Sequence, residues 1–277
     1  MEILTDANAW IALLTLTFLE IVLGIDNIIF ISIATGKLRP EQRKKATKIG
    51  MFLAMFMRIA LLFGISILIS MKEPWFSFDL GWISAAVTGQ SLILLLGGLF
   101  LLYKSTNEIR EKVDEKGQEE KDLGKAAAKS FGSVITQIIL IDIVFSFDSI
   151  LTAVGMTSGV NGALYIMITA VVISVLIMMQ FALPVSTFVN KHPSIQILAL
   201  SFLVLIGFML ITESAHLAGA SIFDSHVTPI PKGYLYFAIT FSLLVEVLNM
   251  KMTKRRKTAI RKKTPELNNT VDQDGIH

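Results

Sequence analysis

Two carboxylates lie six residues apart inside an apolar run near the start of the chain. The segment EIVLGIDNI at 20–28 places Glu20 and Asp26 within a stretch that is otherwise strongly apolar from residue 9 to 34. At the centre of a bilayer an unpaired charged side chain costs on the order of 3 kcal/mol or more. We therefore expect these carboxylates to bind a cation or protons, or to pair with a basic side chain.

The same pattern recurs 122 residues further along the chain, in the segment DIVFSFDSI at 142–150. Apolar identities are common between membrane helices, but two acidic positions at the same spacing are not. The recurrence indicates an internal duplication that kept the acidic positions in both copies, which favours a shared site. The matched polar pairs are Glu20 with Asp142, Asp26 with Asp148, and Asn27 with Ser149.

Other polar residues in the apolar runs are candidate counter-ions or proton relays: Arg58, Gln180, Lys104, Glu213, His216, Glu246 and Asn249. Arg58 falls opposite Gln180 at the same offset, and it is either a counter-ion for a carboxylate or a substrate ligand. Glu213 and His216 form an entry or exit site or are simply solvated. Glu246 and Asn249 act as a proton relay or pack at an interface.

The acidic motifs offer only oxygen ligands. These are the carboxylates, Asn27, Ser146, Ser149 and backbone carbonyls, whereas the four histidines lie outside the motifs. Carboxylate, carbonyl and water suit Mg²⁺, Ca²⁺ and Mn²⁺. One arginine can neutralise one carboxylate, so the remaining charge needs protons or a bound cation. We interpret the carboxylates as ligands of a hard divalent ion, and a purely structural polar network is the alternative.

Residues six apart on a straight helix are separated by about 9 Å along the axis and by about 120° around it. Glu20 and Asp26 could then not hold one ion together. Either Asp26 pairs in depth with Asp142 and Glu20 with Asp148, or the helices break near Gly24 and Ser146 and gather all four carboxylates. We favour the break, because transporters often coordinate ions with the carbonyls of broken helices.

The elements that must position these residues are membrane-spanning helices. The chain of 277 residues is 53% hydrophobic and 17% charged, against about 25% charged in soluble domains. Seven apolar runs are long enough to span a bilayer, at about 9–35, 48–70, 83–105, 130–156, 163–189, 195–217 and 233–250. The predicted fold class is all-α, a polytopic membrane protein with two inverted three-helix repeats plus one extra helix.

Lysine and arginine concentrate on alternate loops and in the tail after residue 250, which by the positive-inside rule places the N-terminus outside and the C-terminus in the cytoplasm. The chain has no cysteine, so disulfides and thiolate sites are excluded. We also expect no cleavable signal peptide. The predicted divisions are a first repeat at 1–106, a charged cytoplasmic linker at 107–129, a second repeat at 130–218, an outer loop with the seventh helix at 219–250, and a basic tail at 251–277.

The two acidic motifs, together with KSTNE at 104–108, ESAH at 213–216 and VEVLN at 245–249, resemble those of the TerC family of integral membrane proteins. This resemblance implies a bacterial inner-membrane protein related to the LysE-type transporters that exports Mn²⁺. It also implies a set of metal-site positions: Glu20, Asp26, Asn27, Asp142, Asp148 and Ser149.

The expected function is a secondary-active, proton-coupled exporter with Mn²⁺ as transported substrate, and Ca²⁺ or another hard divalent ion is the alternative substrate. No phosphate-binding loop for ATP and no zinc or serine–lysine hydrolase pattern is present, so we expect no enzyme and no organic cofactor. The alternative is a non-transporting sensor or partner subunit of a metal or tellurium stress-response complex. The expected partners are the metal ion, the lipid bilayer, and further copies of the chain or other membrane proteins, but no nucleic acid.

Overall fold

A computed structural model describes residues 6–117, 130–157, 159–160 and 162–271; the side chains of 25, 26, 115–117 and 254–271 are outside this description. The described chain is mostly helical, and seven of its helices are long and apolar enough to span a membrane. The elements in chain order are α1 Ala7–Gly36, α2 Pro40–Phe63, α3 Ile65–Ser70, β1 Pro74–Asp79, β2 Ile83–Thr88, α4 Gly89–Gly117, α5 Phe131–Met156, α6 Ala163–Lys191, α7 Pro193–Leu217, β3 Ser221–Ile222, β4 Ser225–His226 and α8 Lys232–Val271.

The seven predicted spans are confirmed, but some of their bounds were wrong. The second span was expected to continue to residue 70, but α2 ends at Phe63 and the short helix α3 follows it. Helix α4 extends to Gly117 beyond the predicted end at 105, and α8 extends to Val271 beyond the predicted end at 250. The second helix begins at Pro40 rather than near residue 48, because proline is favoured in the first turn of a helix and the charged residues that follow extend the helix beyond the apolar run. The third begins at Gly89 rather than at residue 83, because residues 83–88 form strand β2. Residues 118–129 of the predicted linker lie outside the described part, and the domain divisions remain a prediction.

The predicted breaks in the first and fourth spanning helices were wrong, since α1 and α5 are each one uninterrupted α-helix. A glycine inside a helix costs only about 1 kcal/mol, which does not by itself break it. Gly24 instead allows close packing, because a Cβ atom there would collide with the thioether of Met178 on α6. Ser146 keeps the helical conformation and donates its hydroxyl hydrogen to Asp142 Oδ2 at 3.2 Å, one turn earlier.

The two halves of the chain interlock, because α1 packs mainly against α6, α2 against α5, and α4 against α7. The closest approach is at Gly98 on α4 and Gly207 on α7, where a Cβ on Gly98 would lie 2.7 Å from the Gly207 carbonyl oxygen. These two glycines are aligned when LGGLFLLYK at 96–104 is matched to LIGFMLITE at 205–213. Two related halves would meet in this way at equivalent positions, although the inverted repeat itself remains a prediction.

A four-stranded antiparallel sheet, in the order β1-β2-β3-β4, joins the segment before α4 to the segment after α7. Ser84 on β2 pairs with Ser221 on β3, and their hydroxyl oxygens are 2.7 Å apart. The amide of Ala86 also donates to the carbonyl of Ala218 at the end of α7. Helix α8 belongs to a separate compact unit, residues 231–277, and is described by itself.

Candidate functional site

Arg58 on α2 connects acidic residues from both copies of the motif. Its Nη1 atom forms an ion pair with Glu20 Oε2 on α1, and its Nε and Nη2 atoms are each 3.5 Å from Asp142 Oδ1 on α5. The Glu20 pairing is a close hydrogen-bonded contact, whereas the contact with Asp142 is long. We call Glu20, Arg58 and Asp142 the central triad.

The central triad is sealed from the surroundings of the protein. The exposed fractions are 5% for Glu20, 2% for Arg58 and 4% for Asp142. Burial of this kind strengthens the attraction between opposite charges but makes any unpaired charge costly. Two carboxylates and one guanidinium carry a formal charge of about −1 together, so the triad retains an attraction for further positive charge.

The buried faces of α1 and α5 carry their polar groups at matching positions. On α5, Asp142, Ser146 and Ser149 are all buried and follow one another at intervals of four and three residues, which places them on one helical face. The α1 face repeats this pattern with Glu20, Gly24 and Asn27, and Asn27 is 8% exposed. Each motif therefore presents oxygen-bearing side chains along about 10 Å of its helix, three on α5 and two on α1, where Gly24 takes the middle position.

The second acidic position of each motif lies further along its helix, beyond the central triad. The spanning helices α1, α2, α4 and α5 follow one another and reverse direction at each crossing, so α1 and α5 run in opposite directions. Because Glu20 and Asp142 share one guanidinium, Asp26 lies about 9 Å to one side of the triad and Asp148 about 9 Å to the other. Asp148 is half-buried, and the side chain of Asp26 is outside the described part. The arrangement thus differs from both depth pairings expected from the sequence.

Within the described residues, no three histidine or acidic side chains converge as they would around a metal ion. The guanidinium of Arg58 lies between the carboxylates of Glu20 and Asp142 and is in contact with both. One arginine therefore serves two carboxylates, where the sequence predicted one. The six metal-site positions named above remain a prediction, of which the structure brings Glu20 and Asp142 together.

The supporting positions other than Arg58 lie on four different helices, α4, α6, α7 and α8. On α6, Gln180 is exposed and takes no part in the triad, so Arg58 has no counterpart in the second half. On α7, Glu213 is half-buried, and the exposed His216 lies with its Nδ1 3.1 Å from the carbonyl oxygen of Val227. On α8, which is described by itself, Glu246 is half-buried and Asn249 is exposed.

A second charged cluster joins the end of α1 to α4. The carboxylate of Glu108 is 1% exposed and forms ion pairs with Lys37, at the end of α1, and with Lys104 at 2.8 Å. Lys37 also lies 2.8 Å from Glu111 Oε2. The sequence analysis included Lys104 but missed Glu108 and Lys37. The signal available was the spacing of Lys104 and Glu108, which lie one turn apart within the KSTNE motif.

Comparison with known proteins places this geometry in context. The profile of the integral membrane protein TerC family matches residues 5–260. The chain is 48% identical over 252 residues to the UPF0053 inner membrane protein YgdQ of Escherichia coli K12, covering 91% of this chain and 97% of YgdQ. It is 44% identical over 256 residues to a UPF0053 protein of Haemophilus influenzae, covering 92% and 99% of the two chains. It also matches the longer UPF0053 protein YegH of E. coli K12, at 43% identity over 90% of this chain and 43% of YegH. No solved structure matches the chain.

Proposed function

Because the chain belongs to the TerC family of integral membrane proteins and is a multi-pass inner membrane protein, we propose that it is a secondary-active exporter of a divalent metal ion, with Mn²⁺ as substrate. The observation that carries the proposal is the meeting of Glu20 and Asp142, one from each acidic motif, within a bundle of spanning helices. Buried intramembrane carboxylates commonly mark an ion pathway.

The substrate class follows from the ligand chemistry. Carboxylate, amide and hydroxyl oxygens line the buried faces of α1 and α5, and such ligands suit Mn²⁺, Mg²⁺ and Ca²⁺. The resemblance to Mn²⁺ exporters selects Mn²⁺ among the three. The Ser146 hydroxyl donates a hydrogen bond to Asp142 Oδ2, and Arg58 donates to Oδ1. The two oxygens of this carboxylate therefore have different partners that an entering ion would replace.

The three levels of acidic residues support passage in steps. A cation would enter at Asp26, exchange onto Glu20 and Asp142 at the centre, and leave past Asp148. With the N-terminus outside, as the loop charges predict, this direction is export from the cytoplasm. Protons that take the place of the metal on the released carboxylates would supply the driving force.

Flux measurements with the purified full chain in proteoliposomes test this proposal. In wild-type protein an imposed proton gradient should drive Mn²⁺ across the membrane in the direction opposite to the movement of the protons. We expect Glu20→Gln and Asp148→Asn to lower the initial rate by more than about tenfold, because losing even an outer-shell partner of a metal ligand typically costs about 10- to 100-fold. The matched control is Glu41→Gln, which removes an exposed carboxylate in the first turn of α2 and should transport like wild type.

Equal rates in wild type and both site variants would refute the ligand assignment. Binding of Mn²⁺ without any flux in the wild type would favour the alternative of a non-transporting sensor or partner subunit. The absence of both binding and flux would refute the proposed metal substrate altogether.

A further inference from the structure

We infer that Arg58 is a tethered competitor of the transported cation: its guanidinium occupies the central carboxylates when the cargo does not, and must move away for the cargo to bind. This inference rests on the proposed function and deepens it. It assigns to one residue part of the charge compensation of the unloaded protein, and the remainder stays with the protons of the proposal above.

The first argument is the overlap of the two cations in space. Arg58 contacts Glu20 Oε2 and Asp142 Oδ1 at the same time. A hard divalent ion needs carboxylate oxygens at about 2.0 to 2.6 Å, whereas a guanidinium between them keeps them apart by its own width. Glu20 and Asp142 therefore cannot converge on a metal ion while Arg58 remains between them.

The second argument is that Arg58 cannot leave by losing its proton. The guanidinium stays protonated under all physiological conditions. Its release from the two carboxylates must therefore be a movement of the side chain. The long contact to Asp142, at 3.5 Å, is weaker than the close pairing with Glu20, so we expect the Asp142 side of the triad to open first.

The third argument is the charge of the unloaded site. Two facing carboxylates shielded from water and without a cation would be strongly destabilised. Arg58 reduces their combined formal charge from about −2 to about −1. The aligned position in the other half is the exposed, neutral Gln180, so the bundle carries one such arginine for two acidic motifs.

Equilibrium binding and two modes of flux separate this role from a structural one. In Arg58→Gln the competitor is removed, and we expect Mn²⁺ to bind at least about tenfold more tightly, which corresponds to about 1.4 kcal/mol. Exchange of labelled Mn²⁺ against unlabelled Mn²⁺ across the vesicle membrane should persist. Net Mn²⁺ transport should fall by more than about tenfold, because the unloaded site has lost its counter-ion.

A conservative variant and a charge control complete the design. Arg58→Lys keeps the charge but loses the planar fork that holds two carboxylates, so Mn²⁺ affinity should rise by a smaller factor, about threefold. Arg110→Gln removes one basic group that is 81% exposed and should leave both affinity and flux within about twofold of wild type.

The outcomes are distinguishable. If wild type transports Mn²⁺ but Arg58→Gln, monodisperse in detergent, binds it no more tightly, the competitor role is refuted and the transport proposal stands. If Arg58→Gln does not fold, Mn²⁺ affinity is measured in Arg58→Lys instead. An affinity equal to or weaker than that of wild type refutes the inference. Failure of the wild type to bind or move Mn²⁺ refutes the proposed function itself.

Discussion

The crossing of α4 and α7 makes a quantitative prediction about packing. In the variant Gly98→Ala the new methyl group would lie 2.7 Å from the carbonyl oxygen of Gly207 and 2.8 Å from Cγ1 of Ile211. Ordinary contacts of a Cβ atom begin at 3.4 Å, so the two helices must separate by about 0.7 Å. Small residues at such crossings allow the close backbone approach that stabilises helix pairs in membranes.

The magnitude follows from two opposing effects. Overpacking costs about 1 to 3 kcal/mol, and replacement of glycine by alanine in a helix returns up to about 1 kcal/mol. We expect a net loss of about 1 to 2 kcal/mol. For a chain of this size, each 1 kcal/mol shifts the melting temperature by about 2 to 4 °C, so Tm should fall by about 2 to 8 °C.

The assay is thermal unfolding of the purified full chain in detergent, followed by the fraction that remains monodisperse. The control is Gly155→Ala on α5, where a Cβ would meet nothing within 4 Å, and its Tm should equal or slightly exceed that of wild type. A Gly98→Ala protein as stable as the Gly155→Ala protein would show that α4 and α7 do not approach as closely as described.

Two further predictions concern the charged cluster and the sheet. Glu108→Gln leaves two lysines in largely buried positions without their shared carboxylate and should lower the free energy of unfolding by about 2 to 3 kcal/mol. The control Glu111→Gln, at a side chain 51% exposed, should cost less than about 1 kcal/mol. Thermal unfolding of the two variants measures the difference. In this cysteine-free chain, the double variant Ser84→Cys with Ser221→Cys should form a disulfide on mild oxidation, because facing Cβ atoms of paired strands lie within bonding reach. The double variant Ser84→Cys with Ser225→Cys should form no disulfide. If only this second variant shifted on a gel after reduction, the described pairing of β2 with β3 would be wrong.

Hydropathy predicted the spanning helices well because a bilayer requires long apolar runs whose backbone groups are satisfied within the helix. It failed at residues 83–88, since a short apolar run looks the same in a strand and in the first turns of a helix. Strand β2 forms a hairpin with β1, which contains Trp75, Phe76 and Phe78. On its other edge β2 pairs with β3, which lies after α7 and therefore far along the chain. Local pattern does not contain that information.

The sequence predicted which residues form the candidate site better than it predicted which of them contact one another. The duplicated motif predicted that acidic residues from both halves share a site, and the structure brings Glu20 and Asp142 together. That Arg58 contacts both of them was not predictable, because the relative depth of two helices depends on their tilt and offset in the bundle. The Lys37–Glu108 pairing was missed for the same reason, since its partners are on α1 and α4 and only the packed bundle brings them together.

The link between α4 and α7 has a consequence for how the protein can change shape. These helices are held together at two separate levels, by the glycine crossing and by the sheet that joins the start of one to the end of the other. Sliding one past the other would disrupt both attachments at once. They are therefore suited to be the stationary frame of the molecule, and any rocking that exposes the central carboxylates alternately to the two sides would cost least if it were carried by α1, α2, α5 and α6.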